Sequence, residues 1–327
     1  MRIATLLHLC FLAISSAFAS ATPSPDLRST GLRHKDLFGP NKSFPYFNQA
    51  IPLAANAPAQ FDFGFATLLA ECSYLIYIKD PDFISDTLEK ATFRNTRFFD
   101  VNGTFAFLAE NDNHIILVFR GSETGNRQDY LTDARIVQKP FGARGTAHGG
   151  FIKALAEVET DINQAIEKIQ KDKKRPLWIA GHSLGGALAT LYGIKYPEGV
   201  SGIYTFGAPR IGGKKFAKNA NQTSPSLYRV VHDNDLIPRL PTPPFYRHTG
   251  STYFLASSGK LLIDPPASKK WESRFNGHGK FLKKLYSEYW SKGDFKAIPS
   301  DYFADHSPRL YAEVLIQLAT ADQRGKN

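Results

Sequence analysis

Residues 177–191 read Leu-Trp-Ile-Ala-Gly-His-Ser-Leu-Gly-Gly-Ala-Leu-Ala-Thr-Leu, and their order decides the fold. Leu177–Ala180 is a short apolar run of strand character. Ala187–Leu191 reads as a helix of small and apolar residues. Between them Gly181-His182-Ser183-Leu184-Gly185 is a G-x-S-x-G turn. In this setting the serine takes a strained backbone conformation at a sharp strand-to-helix turn, and the flanking glycines stand where side chains would collide. The helix that follows opens beside the serine with N–H groups that no helical carbonyl can satisfy, and these are suited to a developing oxyanion.

Around this centre the chain alternates between strand and helix. Upstream, Ala91–Phe99, Thr104–Ala109 and His114–Phe119 are strand-like runs separated by Asn102-Gly103 and Asn111-Asp112-Asn113. A helix is expected near Phe151–Lys171, and Leu227–Val231 and Ser251–Leu255 read as later strands. That order predicts an α/β protein with a mostly parallel central sheet and helices on both faces. Phe65, Leu68, Leu69, Cys72 and Ile76 fall at helical spacing and predict an amphipathic helix, with Cys72 a buried structural thiol.

A serine hydroxyl attacks only when a base takes its proton, and in this strand–turn–helix setting the partners follow it in the order acid, then histidine. Asp233, Asp235, Asp264, Asp294, Asp301 and Asp305 are available. Asp235 stands at the end of the strand-like Leu227–Val231 run and just before Leu236-Ile237-Pro238. A sheet of this kind carries its chemistry at that edge. Asp233, two residues earlier, is the rival and reads as a turn former. Three histidines follow: His248 before a strand, His278 in a basic Gly-flanked loop, and His306 before a final amphipathic helix through Leu310, Val314 and Leu318. A loop held by such a rigid element favours His306; placement alone leaves the other two open.

The ends and composition set the frame. The chain has 327 residues, 43% hydrophobic, with a formal net charge of +10, which suits a packed core and excludes disorder as the main state. Residues 1–19 carry Arg2, an apolar run and Ala17-Phe18-Ala19, the pattern of a cleaved secretory signal, so secretion to the exterior or to a periplasm is expected. Residues 20–60 are a Pro-rich irregular arm or propeptide, and the ordered domain is expected over 61–327. A basic, aromatic insertion covers about 264–300. Within it Phe281, Leu282, Leu285, Tyr286 and Tyr289 face one side of a helix and Lys283 and Lys284 the other; an amphipathic helix packed on the core with solvated lysines is expected, with contact to anionic lipid as the alternative. With the signal removed Cys72 is the one remaining cysteine, so no intramolecular disulfide is expected. No H-E-x-x-H, C-x-x-C or Walker sequence occurs, so no metal or organic cofactor is implied, and no nucleic-acid-binding motif accompanies the basic charge.

Taken together, ILVFRGS at 116–122, the step His148-Gly149-Gly150-Phe151, GHSLGGALATL at 181–191, YTFGAPRIG at 204–212 and YRVVHDNDLIPRLP at 228–241 resemble the class 3, fungal-type triacylglycerol lipases. The resemblance runs in order from about 61 to 255 and resumes at 301–316. It implies an α/β-hydrolase fold with a lid over the active site and hydrolysis of lipid esters through an acyl-enzyme. It further implies Ser183 as nucleophile, Asp235 as orienting acid and His306 as base, with the backbone N–H groups of Leu184 and Ser122 as the oxyanion hole. His148 precedes the serine and is expected to be structural. Two departures stand out. Fungal members are disulfide-bonded. Here, moreover, the stretch after Ser122, ETGNRQDYLTDARIV, is more polar than the family's apolar lid, which leaves phospholipase A1 or soluble and feruloyl-type esterase action as alternatives; an inactive lipid-binding relative is a further one, against which the intact Ser, Asp and His set speaks.

Overall fold

The structure, a computed structural model, describes residues 39–49, 60–122, 137–223, 225–274 and 304–326. The expected lid and the helix around Lys283 and Lys284 lie outside these residues, as does His278. The first helices are α1 (Phe63–Leu75) and α2 (Pro81–Glu89). Asp62 and Asp80 start them by accepting the Phe65 and Phe83 backbone N–H groups, the usual remedy for the orphan donors of a first turn. Strands β1 (Arg94–Val101), β2 (Thr104–Glu110) and β3 (Ile115–Phe119) form an antiparallel meander. Then come β4 (Gln138–Pro140), β5 (Thr146–His148), α3 (Gly149–Asp172), β6 (Leu177–His182), α4 (Leu184–Lys195), β7 (Val200–Phe206) and α5 (Lys214–Thr223). The chain continues through β8 (Leu227–His232), β9 (Ser251–Leu255), β10 (Leu261–Ile263) and α6 (Pro308–Lys326).

Eight strands build one sheet in the order β1-β2-β3-β6-β7-β8-β9-β10, with β4 and β5 a separate ribbon. The central strands β3, β6, β7, β8 and β9 run parallel, and antiparallel pairing is confined to the two margins. Buried on both faces, the middle of the sheet needs apolar residues on both parities. In β3, Ile115, Leu117 and Phe119 pack toward α3 and α4, while Ile116 and Val118 pack toward α1 and α6. In β6, Leu177 and Ile179 share the first cluster and Trp178 and Ala180 the second. This is the α/β-hydrolase arrangement expected from the motif order.

One expectation needs correcting. The spacing of Phe65, Leu68, Leu69, Cys72 and Ile76 predicted an amphipathic helix, but α1 is buried all round from Gly64 to Leu75. It lies between the sheet and α6, so it has no solvent face to keep polar. Cys72 is buried there as a free thiol, and burial holds its pKa well above the ordinary range, as a structural cysteine requires. Residues 39–49 form no helix or strand, yet Phe44 and Tyr46 pack on Tyr74 of α1. The Phe47 N–H donates to the buried Glu71 carboxylate at 2.7 Å.

Candidate active site

Ser183 sits between the end of β6 and the first turn of α4 with φ +58° and ψ −126°, a conformation an L-residue adopts only under constraint. The constraint is visible on both sides. Its N–H donates to Phe206 O at 2.9 Å, while its carbonyl accepts from Gly186 and Ala187. The glycines let α4 lie against the strands. A Cβ on Gly185 would stand 2.1 Å from Phe119 O, and one on Gly181 would stand 2.3 Å from the Gly185 carbonyl. Leu184 is the first residue of α4, where a backbone N–H has no intrahelical acceptor. Gly121 passes close to the serine: a Cβ there would be 3.2 Å from Ser183 Cβ, so Ser122 follows next to the nucleophile elbow. Ser122 and Leu184 share the wall of a cleft of about 760 Å³, a size typical of small-molecule sites.

Asp235 and His306 come together from distant parts of the chain. Asp235 follows β8, and His306 closes the short turn 304–306 ahead of α6. His306 Nδ1 lies 2.8 Å from Asp235 Oδ2, with both side chains fully buried. A carboxylate there accepts the Nδ1 proton, which leaves Nε2 as the basic nitrogen. Asp235 also accepts from the Tyr311 hydroxyl at 2.6 Å and, through Oδ1, from the Ile237 N–H at 2.9 Å. Burial pushes the Asp235 carboxyl upward, and the bonds from Tyr311 and Ile237 draw it back toward the ionised form. Gly207, at φ +63°, makes room for the pair, since a Cβ there would meet Asp235 Oδ2 at 2.6 Å and His306 Nδ1 at 2.9 Å.

Two supports escaped the sequence reading. The Tyr311 hydroxyl oxygen accepts the His232 N–H at 2.9 Å while its proton goes to Asp235, so the last helix is tied both to the end of β8 and to the acid. Burial and the Asp235 charge keep this phenol protonated and a donor. The second support is His182, the variable residue of the turn itself. Its Nε2 lies 2.8 Å from His306 O and its Nδ1 2.9 Å from the Tyr77 hydroxyl. A carbonyl only accepts, so Nε2 carries the proton and Nδ1 accepts from Tyr77. The available signals were slight: a histidine beside the serine, and a tyrosine five positions after His306.

The other candidates lie elsewhere. Asp233 is in a turn, as expected, but is buried, and its Oδ1 accepts from Ser273 at 2.6 Å. His248 bonds Pro238 O at 2.7 Å, and burial beside Arg229 and Arg210 holds its pKa well below the usual value. His148 caps α3 by accepting the Gly150 N–H and stacks on Phe151, a structural use. Among the described residues, no group of three or more His, Cys, Asp or Glu side chains is arranged to hold a metal ion.

Residues 116–245 match the family model Lipase (class 3). The secreted mono- and diacylglycerol lipase 1 of Fusarium solani is 34% identical over 161 residues, covering 47% of this chain and 48% of that protein. A lipase of Rhizomucor miehei is 29% identical over 180 residues, covering 52% of this chain and 49% of that one. The chain thus spans about half the length of the curated relatives it matches. Among solved structures, a triacylglycerol lipase whose catalytic centre is a serine protease triad superposes with a TM-score of 0.52 at 25% identity, covering 61% of this chain and 81% of that one. The triacylglyceride lipase of Rhizomucor miehei shares the fold, with a TM-score of 0.51 at 23% identity over 64% of this chain and 86% of its own. The α/β-hydrolase sheet and these matches agree, and residues 116–245 are similar to the class 3 lipases.

Proposed function

We propose that this protein is a secreted serine hydrolase of carboxylic esters of lipids, with Ser183 as nucleophile, His306 as base and Asp235 as orienting acid. The observation that carries the reading is the buried His306–Asp235 hydrogen bond, held at the same sheet edge as the strained Ser183 elbow. Ser183 Oγ attacks the ester carbonyl while His306 Nε2 takes its proton. Asp235, anchored by Tyr311 and Ile237, holds the imidazole in the tautomer that leaves Nε2 free to accept and stabilises the imidazolium that forms. The tetrahedral oxyanion is bound by the Leu184 and Ser122 backbone N–H groups, and its collapse passes the proton from His306 to the leaving alcohol. Water, activated by the same histidine, attacks the acyl-enzyme and releases the acid. Lipid esters are supported by the family and by the substrates named for its relatives.

The test is hydrolysis of acyl esters of increasing chain length, below and above their solubility limit, by the protein lacking residues 1–19 and by its Ser183→Ala variant. Long-chain activity that rises at the interface and falls at least about 10⁴-fold in the variant is the expected result. The polar sequence of 123–136 favours a second outcome, soluble esterase action without an interfacial jump. Equal rates from both proteins would remove Ser183 from the reaction.

A further inference from the structure

A second cleft, of about 400 Å³, lies at the end of the sheet remote from Ser183. Its inner wall includes Thr67, Leu68 and Glu71 of α1, and Asn113 and His114, just ahead of β3, line one side. Strands β3 and β6 run parallel, with Ile115 opposite Leu177 at their start and Ser183 following the end of β6. The cleft and the nucleophile are therefore separated by about the length of a strand, roughly 20 Å.

The walls are held from outside. Asn111 Oδ1 accepts the N–H groups of Asn113 and His114 at 2.9 and 2.7 Å. Arg175 and Lys173 donate to the carbonyls of Asn111 and Asp112, each at 2.7 Å. Across the cleft, Phe44 and Tyr46 pack on Tyr74 and so hold the segment that carries Phe47, Asn48 and Gln49. Walls set before a ligand arrives reduce the entropy lost on binding.

The cleft contains an acid without a counter-ion. Glu71 is 3% exposed, and one carboxyl oxygen accepts the Phe47 N–H at 2.7 Å. Among the described residues no hydrogen bond reaches its other oxygen and no cation pairs with it. Burial raises its pKa to about 7, against the pull of that one bond. The groups around it do not supply the missing charge. The Tyr46 and Tyr74 phenols and the Cys72 thiol are pushed upward by burial and stay neutral, while Arg309 of α6 is bonded to Glu313 at 2.7 Å. On the cleft wall His114 Nδ1 accepts the Trp178 indole N–H at 3.3 Å, and Lys90 stands exposed at the rim.

We propose that this cleft binds a small organic cation through a primary ammonium group seated on Glu71. An ammonium supplies the partner that burial denies the carboxylate, and a charge-assisted hydrogen bond is of the stronger kind. Asn48, Gln49 and Asn113 carry amide oxygens that can accept the remaining ammonium protons, and Phe47 and Leu68 offer apolar surface to a carbon chain. An anion would meet the Glu71 charge head on, and a neutral polyol would leave it uncompensated. The site goes beyond the ester chemistry and does not depend on it.

The experiment is titration calorimetry of the protein lacking residues 1–19 with butylamine and with butanol, which matches the amine in shape and lacks its charge. At about pH 8, where the carboxylate is ionised, the amine is expected to bind at least about tenfold more tightly than the alcohol. Glu71→Gln, nearly identical in shape, should bring the amine down to the affinity of the alcohol. Lys90→Glu, on the exposed rim, should strengthen amine binding about threefold and leave the alcohol unchanged. Because the ammonium favours the ionised carboxyl, binding below about pH 7 should release a proton and weaken as pH falls, in the parent and not in Glu71→Gln. The proposal is overturned if the alcohol binds as tightly as the amine, or if neither binds by ~50 mM. It is equally overturned if Glu71→Gln leaves amine affinity unchanged, or if the pH slope persists in that variant, which would assign it to His114.

Discussion

The two halves of the proposed site are built in opposite ways. The nucleophile elbow is local: strand, serine, glycines and helix all lie between Leu177 and Leu191, and each residue's role follows from its neighbours in sequence. The acid–base half is non-local. Asp235 and His306 are separated by 71 residues, and Tyr311 and His182 reach them from α6 and β6. The elbow stores backbone strain that close packing enforces. The acid–base pair stores buried polarity that hydrogen bonds must satisfy. A defect in the first should therefore show in stability, and one in the second in rate.

The sharpest way to break that contrast is Asp235→Asn. It keeps the volume but removes the anion that sets the His306 tautomer, so kcat should fall about 10⁴-fold, with less effect on KM. A fall of less than tenfold would mean that another group orients His306. On the elbow side, Gly185→Ala drives a Cβ into the Phe119 carbonyl, which belongs to a central strand and cannot retreat. A loss of about 3 kcal/mol in urea unfolding is expected. If activity fell while stability held, the local half would not be under packing strain.

Glu71 gives a buried acid outside the site for comparison. Burial raises its pKa to about 7, above the ordinary carboxylate range. Because the folded value lies above the unfolded one, the protonated form favours folding. Stability is full below the unfolded pKa and declines as pH rises toward 7, by about 3 kcal/mol, then levels off. Glu71→Gln should flatten that slope in denaturation measured from pH 4 to 8, and an unaltered slope would assign it to another group. The smallest effect is expected from Tyr311→Phe, which removes one of the donors to Asp235 and the acceptor of the His232 N–H. A loss of about tenfold in kcat, with about 1 kcal/mol of stability, is expected. A change in stability alone would make Tyr311 a strut rather than a support of the acid.

What could be read in the chain follows the same division. The mostly parallel sheet, the helix near 151–171 and the alternation of strand and helix were legible because apolar runs and glycine-bearing turns are local signals. Helix α1 shows the limit of periodicity. Its stripe is real, yet its other side is also buried, and only the placement of α6 over it says so. The choice of Asp235 drew on its place after a strand. Among the histidines, placement left three; of the two that are described, His306 bonds Asp235 and His248 bonds Pro238 O.

By itself, then, the sequence determined the strand–serine–helix turn, the class of sheet and the edge where chemistry would gather, because those depend on contacts within a few residues. Tertiary structure alone decided that Tyr311 anchors Asp235 and that His182 fixes the backbone of His306. These features need groups brought together over long separations, where hydrogen-bond direction and burial select the partner and no spacing along the chain records it.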